Sequence, residues 1–215
     1  MTTAPAAPAT AATERLWAAV ETYDGEVADT TLADMLWQRS LADAITTVVL
    51  PFLEELGDRW EEGRLSVAHE HFVSNLLRRW LWAFAGRPTP EGAVTDGPVV
   101  LLACPPGERH DLVLLSFSLL LGEGGARTRY LGADTPMPAI VAAARAARAD
   151  AVVLAATRDT AFTAESTAIS RLAVEHPVFV AGRGASQNVA ESLHAHLMPH
   201  DPVAAVSYLT TVLAR

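Results

Sequence analysis

An α/β chain with an all-α module in front is the fold class that this sequence predicts: an N-terminal four-helix bundle followed by a flavodoxin-like, doubly wound parallel sheet of five strands. Three observations point there. All five tryptophans, Trp17, Trp37, Trp60, Trp80 and Trp82, fall in the first two-fifths of the chain and none after Trp82, so the two parts are differently built. Between Thr13 and Phe84 apolar residues recur at three and four with few strand-type runs. From Val99 onward short apolar runs alternate with helical segments, the pattern of a parallel sheet with helices on both faces. The 215 residues are 50% hydrophobic and 19% charged, which permits a buried core and excludes a disordered or low-complexity chain.

In chain order, residues 1–12 read as a flexible tail and 13–85 as the bundle. A first helix runs from Thr13 to about Tyr23. Asp29 or Thr30 can cap a second that ends at Trp37, and Ser40 or Asp43 a longer third that Pro51 kinks and Gly63 stops. Ser66 caps the fourth, with Val67, Phe72, Val73, Leu76, Leu77, Trp80, Leu81 and Phe84 as its apolar face.

Residues 86–97 have the three glycines and two prolines of a linker, and 98–215 form the sheet domain. Strands are expected at 99–104, 128–131, 151–156 and 178–181, with a weak fifth at 195–198. Helices are expected at 109–122, 136–148, 161–176, about 188–194 and from Pro202. In such sheets ligands bind beyond the carboxyl ends of the strands, so the loops after Cys104, Leu131, Ala156 and Ala181 are where chemistry is sought.

Sixteen Lys and Arg against 25 Asp and Glu leave a net charge of −9, which argues against autonomous binding to nucleic acid. The single cysteine, Cys104, cannot form an internal disulfide and suits a reducing compartment. The N-terminus lacks the basic and apolar regions of a signal peptide, and no apolar run approaches the roughly 20 residues that span a bilayer. A cytoplasmic protein without membrane contact is expected.

The loop after the first strand reads CPPGERHD, with His110 two residues after Glu108. Neutral imidazole is a good ligand for a borderline metal, and a carboxylate that accepts its second N–H fixes the tautomer and raises its basicity. A helix-capping Glu beside an exposed His is the alternative. His69 and His71 cannot share a metal, because positions two apart on a helix diverge by about 200°. His194, His196 and His200 form a histidine-rich stretch that is either a second metal site or a solvated loop.

The loop and the two later segments spaced from it resemble the cobalamin-binding proteins of the methionine synthase type. Their motif is Asp-x-His-x-x-Gly, a long spacer, Ser-x-Leu, a shorter spacer and Gly-Gly. Here Glu108-Arg109-His110-Asp111-Leu112-Val113 stands in the first block. After a spacer of the family's length, residues 114–154, comes Ala155-Ala156-Thr157. A second spacer of matching length, residues 158–183, leads to Gly184-Ala185, with Gly182 just before. Val113, Ala155 and Ala185 depart from the motif. The resemblance implies that His110 replaces the cofactor's own benzimidazole as lower ligand of cobalt. It further implies that Glu108, Arg109, Asp111, Ala155, Thr157, Gly182 and Gly184 line the cofactor, with Thr157 offering a hydroxyl.

Trp60, nine residues and Glu70-His71 resemble the helical cap of the light-sensing CarH and LitR group, which binds adenosylcobalamin. The resemblance implies that Trp60 shields the cobalt–carbon bond while Glu70 and His71 hydrogen-bond the nucleoside. Where light-sensing relatives place a histidine after this tryptophan, able to become an upper ligand of cobalt, this chain has Glu61. An aquo or single-histidine photoproduct is therefore expected.

The function implied is a cobalamin-binding sensor, an adenosylcobalamin-dependent photoreceptor that signals through a homo-oligomer or a partner regulatory protein. The DNA-binding module of the group has no counterpart in the short stretch before the bundle. A corrinoid methyl carrier, loaded with methylcobalamin, is the alternative. A photocobilin-like form that also binds a bilin is a second.

Overall fold

The computed structural model describes residues 11–37, 39–85 and 96–214. Apart from residues 11–12 and 96–97, the expected tail and linker lie outside the described residues. The chain divides into two compact units, one ending at Phe84 and the other starting at Ala85.

The first unit is helical. Helix α1 (Ala11–Glu21) begins two residues before the expected start. Helix α2 (Gly25–Leu36) begins well before Asp29, because Asp24 accepts the Val27 N–H at 3.0 Å and caps it. Tyr23, at φ 54°, makes the left-handed turn between the two helices. Asp29 is engaged elsewhere: its Oδ1 accepts from Trp80 Nε1 at 2.9 Å and from Arg79 at 2.6 Å, pinning α2 to the last helix.

The third helical path is continuous but irregular. Ser40 caps α3 (Leu41–Ala44), a π-helical turn follows at Ile45–Val49, and α4 (Leu50–Glu61) carries Pro51 in its first turn. Proline removes one N–H and crowds the carbonyl four residues earlier, and the widened turn relieves that crowding, with Leu50 N–H reaching Ile45 O. Gly63, at φ 71°, ends the path. In α5 (Val67–Ala85) His69 Nδ1 accepts the Ser66 N–H at 3.1 Å, the reach-back of a capping box with His in place of Glu. Val73, Leu76, Leu77, Leu81 and Phe84 are buried, whereas Val67, expected on that face, is exposed in the first turn, and Phe72 and Trp80 are half-buried. Trp17 lies in this core, stacked on Phe52 at 4.2 Å with the Arg59 guanidinium over its ring.

The second unit is the doubly wound sheet. Strands β1 (Val99–Ala103), β2 (Arg127–Gly132), β3 (Ala151–Ala155), β4 (Val178–Ala181) and β5 (His196–Leu197) are all parallel, in the order β2-β1-β3-β4-β5. This is the order of a flavodoxin-like sheet, as expected, and the fifth strand is as short as its weak signal. Alternate residues divide two cores. Val100, Leu102, Val153 and Phe179 meet α6 (Leu112–Glu123) and α11 (Pro202–Leu213). Leu101, Val152, Leu154 and Val180 meet α7 (Met137–Ala147), α8 (Asp159–Ala164), α9 (Ser166–Glu175) and α10 (Gln187–Ser192).

Two helix expectations need correction. The helix expected over 161–176 is two helices broken at Glu165, which leaves the helical region at φ −105°, ψ 13°. The break lets Phe162 and Ile169, both fully buried, join one core. The helix expected from residue 109 starts at Leu112, because the residues before it are held by bonds from Glu108 to Thr157, just beyond β3, and from Asp111 to Tyr130 on β2. Among the described residues no helix is long and apolar enough to cross a membrane.

Phe162→Ala empties a fully buried aromatic site. A loss of about 3–5 kcal/mol in the stability of the α/β unit is expected in denaturant unfolding of the full chain.

Candidate cofactor site

The switch point of the sheet lies between β1 and β3, where successive crossovers leave to opposite sides and the loops splay apart. Residues 104–111 leave β1 there, and Ala156-Thr157 leave β3. The two loops are joined by one carboxylate. Glu108 is only 3% exposed, and its Oε1 accepts from the backbone N–H of His110 at 2.8 Å and from His110 Nδ1 at 2.6 Å. Its Oε2 accepts from the Thr157 backbone N–H at 2.6 Å and from the Thr157 hydroxyl at 2.7 Å. Burial alone would push this carboxyl's pKa up. The bonds from the side chains and backbones of His110 and Thr157 outweigh it and hold the pKa at about 2.

The consequence for His110 is chemical. An ionised Glu108 can only accept, so Nδ1 carries the ring proton and the in-plane lone pair sits on Nε2. The ring is two-thirds exposed, with 67% of the side chain accessible, while its partner is buried. A largely exposed imidazole with a carboxylate holding its Nδ1 fits a borderline metal such as cobalt, which would bind at Nε2 of the neutral ring.

Of the other expected residues, Asp111 is buried and accepts the Tyr130 hydroxyl at 2.6 Å. Arg109 is exposed, and Ala155 ends β3, half-buried against the core. Gly182 and Gly184 do permit a close approach, but the backbone they approach is the loop after β3. A Cβ on Gly182 (φ 88°) would stand 2.4 Å from Ala156 O, and one on Gly184 2.3 Å from the Arg158 carbonyl carbon.

On the helical unit Trp60 lies near the end of α4 and is 48% exposed. In the first turn of α5, Glu70 accepts the Ser74 hydroxyl at 2.7 Å and lies 3.5 Å from His71 Nε2. No hydrogen bond or ring contact joins Trp60 to this pair among the described residues.

Tyr130 and Asp134 are functional candidates that sequence reasoning missed. Asp134, at φ 47°, accepts the Gly107 N–H at 2.8 Å, and its own N–H donates to Glu108 O at 2.7 Å. The local signal was the GAD turn after β2. Cys104 is a buried thiol pushed up to about 12 by burial and by Asp111 and Glu108, which suits packing rather than nucleophilic chemistry. His196 stacks on Phe179 at 5.0 Å, and no group of three or more His, Cys, Asp or Glu among the described residues could hold a metal ion by itself.

Comparison with known proteins places the first unit. The family model described as B12 binding domain matches residues 12–83. The helical unit is thus similar to B12 binding domains. Over 179 residues the chain is 34% identical to the HTH-type transcriptional repressor CarA of Myxococcus xanthus, covering 82% of this chain and 59% of that protein. Over 190 residues it is 33% identical to the HTH-type transcriptional repressor CarH of the same organism, covering 86% of this chain and 62% of that protein. The chain therefore spans about three-fifths of the length of each. Among solved structures, the monomethylamine corrinoid protein of Methanosarcina barkeri superposes with a TM-score of 0.71 at 18% identity, over 92% of this chain and 96% of that one. That likeness is one of fold and takes in both the helical unit and the sheet that follows it.

The Glu108 network makes an acid-sensitive contribution to stability. The folded pKa lies below the ordinary 4.5, so the contribution is present above pH 4.5 and disappears as pH falls from there to about 2. Its size is on the order of 3 kcal/mol. Urea unfolding across this range is expected to show that loss, and Glu108→Gln to flatten it. Gly184→Ala is expected to destabilise the α/β unit by about 2 kcal/mol or more, since only backbone stands in the way of the new methyl.

Proposed function

We propose that the chain is a cobalamin-binding sensor, and that its cofactor is adenosylcobalamin and its signal light. The observation that carries the binding is the buried Glu108, which presents His110 with Nδ1 protonated and Nε2 as the ligating nitrogen. The match of residues 12–83 to the B12 binding domain supports the same reading from the other unit.

His110 would hold cobalt from below, and Glu108 would keep the ring's proton on the far nitrogen and resist its rotation. Thr157 fixes the second oxygen of Glu108, so the carboxylate cannot swing away from the ring. On the helical unit, Trp60 would supply an apolar plate, and Glu70 and His71 hydrogen-bonding partners, for the ribose or base of the cofactor's nucleoside. When bound, adenosylcobalamin supplies a light-sensitive cobalt–carbon bond. A change in what Trp60, Glu70 and His71 touch can shift the helical unit only through contacts that differ between the two states.

The two repressors similar to this chain support a regulatory rather than a catalytic role. With a net charge of −9 we assign the output to a homo-oligomer or a partner regulatory protein in the cytoplasm rather than to direct contact with nucleic acid.

The test is the absorption spectrum of the full chain loaded in the dark with adenosylcobalamin, before and after green light. A photochange that His110→Ala abolishes is expected. Stronger retention of methylcobalamin than of adenosylcobalamin, with no photochange, would instead support a corrinoid methyl carrier and overturn the sensor reading.

A further inference from the structure

Tyr130 stands on β2, the strand flanking β1 on the side away from β3. Its hydroxyl donates to Asp111 Oδ2 at 2.6 Å and lies 3.3 Å from the Asp111 carbonyl oxygen. Asp111 immediately follows His110 and occupies the N-cap position of α6. An aspartate there ordinarily accepts an N–H of its own helix's first turn, yet Asp111 makes no such bond. Its buried carboxylate is turned across the sheet to Tyr130 instead.

The two-residue step Arg109-His110 is thus bracketed by two buried carboxylates bonded to opposite neighbours of β1. Glu108 is tied to the residue after β3, and Asp111 to a residue within β2. The rest of the loop is held from the β2 side as well: Asp134 takes the Gly107 N–H, the Asp134 N–H donates to Glu108 O, and the Thr135 N–H donates to Cys104 O at 3.0 Å. What Tyr130 adds is a hold on the His110 side of the loop, which the Asp134 bonds do not reach.

We propose that Tyr130 is a positioning residue for His110, acting through Asp111 to fix where the imidazole stands as a cobalt ligand. This rests on the reading of His110 as lower ligand. Glu108 sets the tautomer and the rotation of the ring, and the Tyr130–Asp111 bond sets the position of the backbone from which the ring projects. Misplacing a ligand by a fraction of an ångström weakens coordination without altering the donor set.

The test compares wild type, Tyr130→Phe and Asp111→Asn in the full chain. Tyr130→Phe deletes only the hydroxyl, and Asp111→Asn keeps an acceptor oxygen for it. In the ligand-free chain, hydrogen exchange of the His110 N–H, which is bonded to Glu108, is expected to quicken on the order of tenfold in Tyr130→Phe and to stay near wild type in Asp111→Asn. In the chain loaded with adenosylcobalamin in the dark, Tyr130→Phe is expected to lose part of the absorption signature of histidine-ligated cobalt and to release the corrinoid faster. Thermal melting of all three separates these effects from general unfolding. Unchanged exchange and spectrum in Tyr130→Phe, or exchange in the ligand-free Asp111→Asn chain as fast as in Tyr130→Phe, would overturn the proposal. A wild-type chain that binds no corrinoid would instead sink the ligand reading, leaving the exchange measurement to decide the positioning role alone.

Discussion

A carboxylate withdrawn from water must have its oxygens satisfied by donors or become neutral, and Glu108 meets that constraint with four hydrogen bonds from two loops. Much of the α/β unit can be understood from this. Donors from residues 110 and 157 can meet one side chain only if β1 and β3 are neighbours with their carboxyl ends at one edge, which the strand order provides. The loop after β3 must also be held in place, and the close backbone approach of Gly182 and Gly184 to Ala156 and Arg158 does so. The Gly184 N–H donates to Ala156 O at 3.0 Å, linking a third loop to the same arrangement.

The constraint also fixes the chemistry available to His110. Hydrogen bonds outweigh desolvation at Glu108, so the carboxylate stays ionised through the physiological range and leaves the ring proton on Nδ1. Without the charge at Glu108 an exposed imidazole would sample both tautomers and several rotamers, and would lose more freedom on binding a metal. Burying the carboxylate while exposing the ring separates the two roles proposed for them: the part that must not move is out of solvent, and the part that would meet a ligand is exposed.

The strand order and the alternation of helices were legible because buried parallel strands read as short, nearly pure apolar runs. The pairing of Glu108 with His110 was legible because it is local, two residues apart in one loop. Tyr130 was not: its partner is 19 residues away and the bond depends on β2 lying beside β1, which no local pattern encodes. The start of α2 was misplaced because Asp24 and Asp29 are both good caps, and a tertiary bond to Trp80 decides between them. The tryptophans show the same limit. Trp17 is core, Trp80 is held by Asp29, and Trp60 is half-exposed, a division that composition alone cannot make. For Trp60, Glu70 and His71 the spacing brought the three to notice.

The central claim is that the protein's own histidine, and not the cofactor's benzimidazole, ligates cobalt from below. It is tested most directly by growing the full chain with nitrogen-15 histidine, loading it with the paramagnetic cobalt(II) form of cobalamin and recording its electron paramagnetic resonance spectrum. Coordination by His110 is expected to split each cobalt line into a doublet, the pattern of a nitrogen-15 axial ligand, and His110→Ala to remove that doublet. A triplet from nitrogen-14 in the labelled wild-type chain would mean that the benzimidazole remains bound, and would contradict the claim.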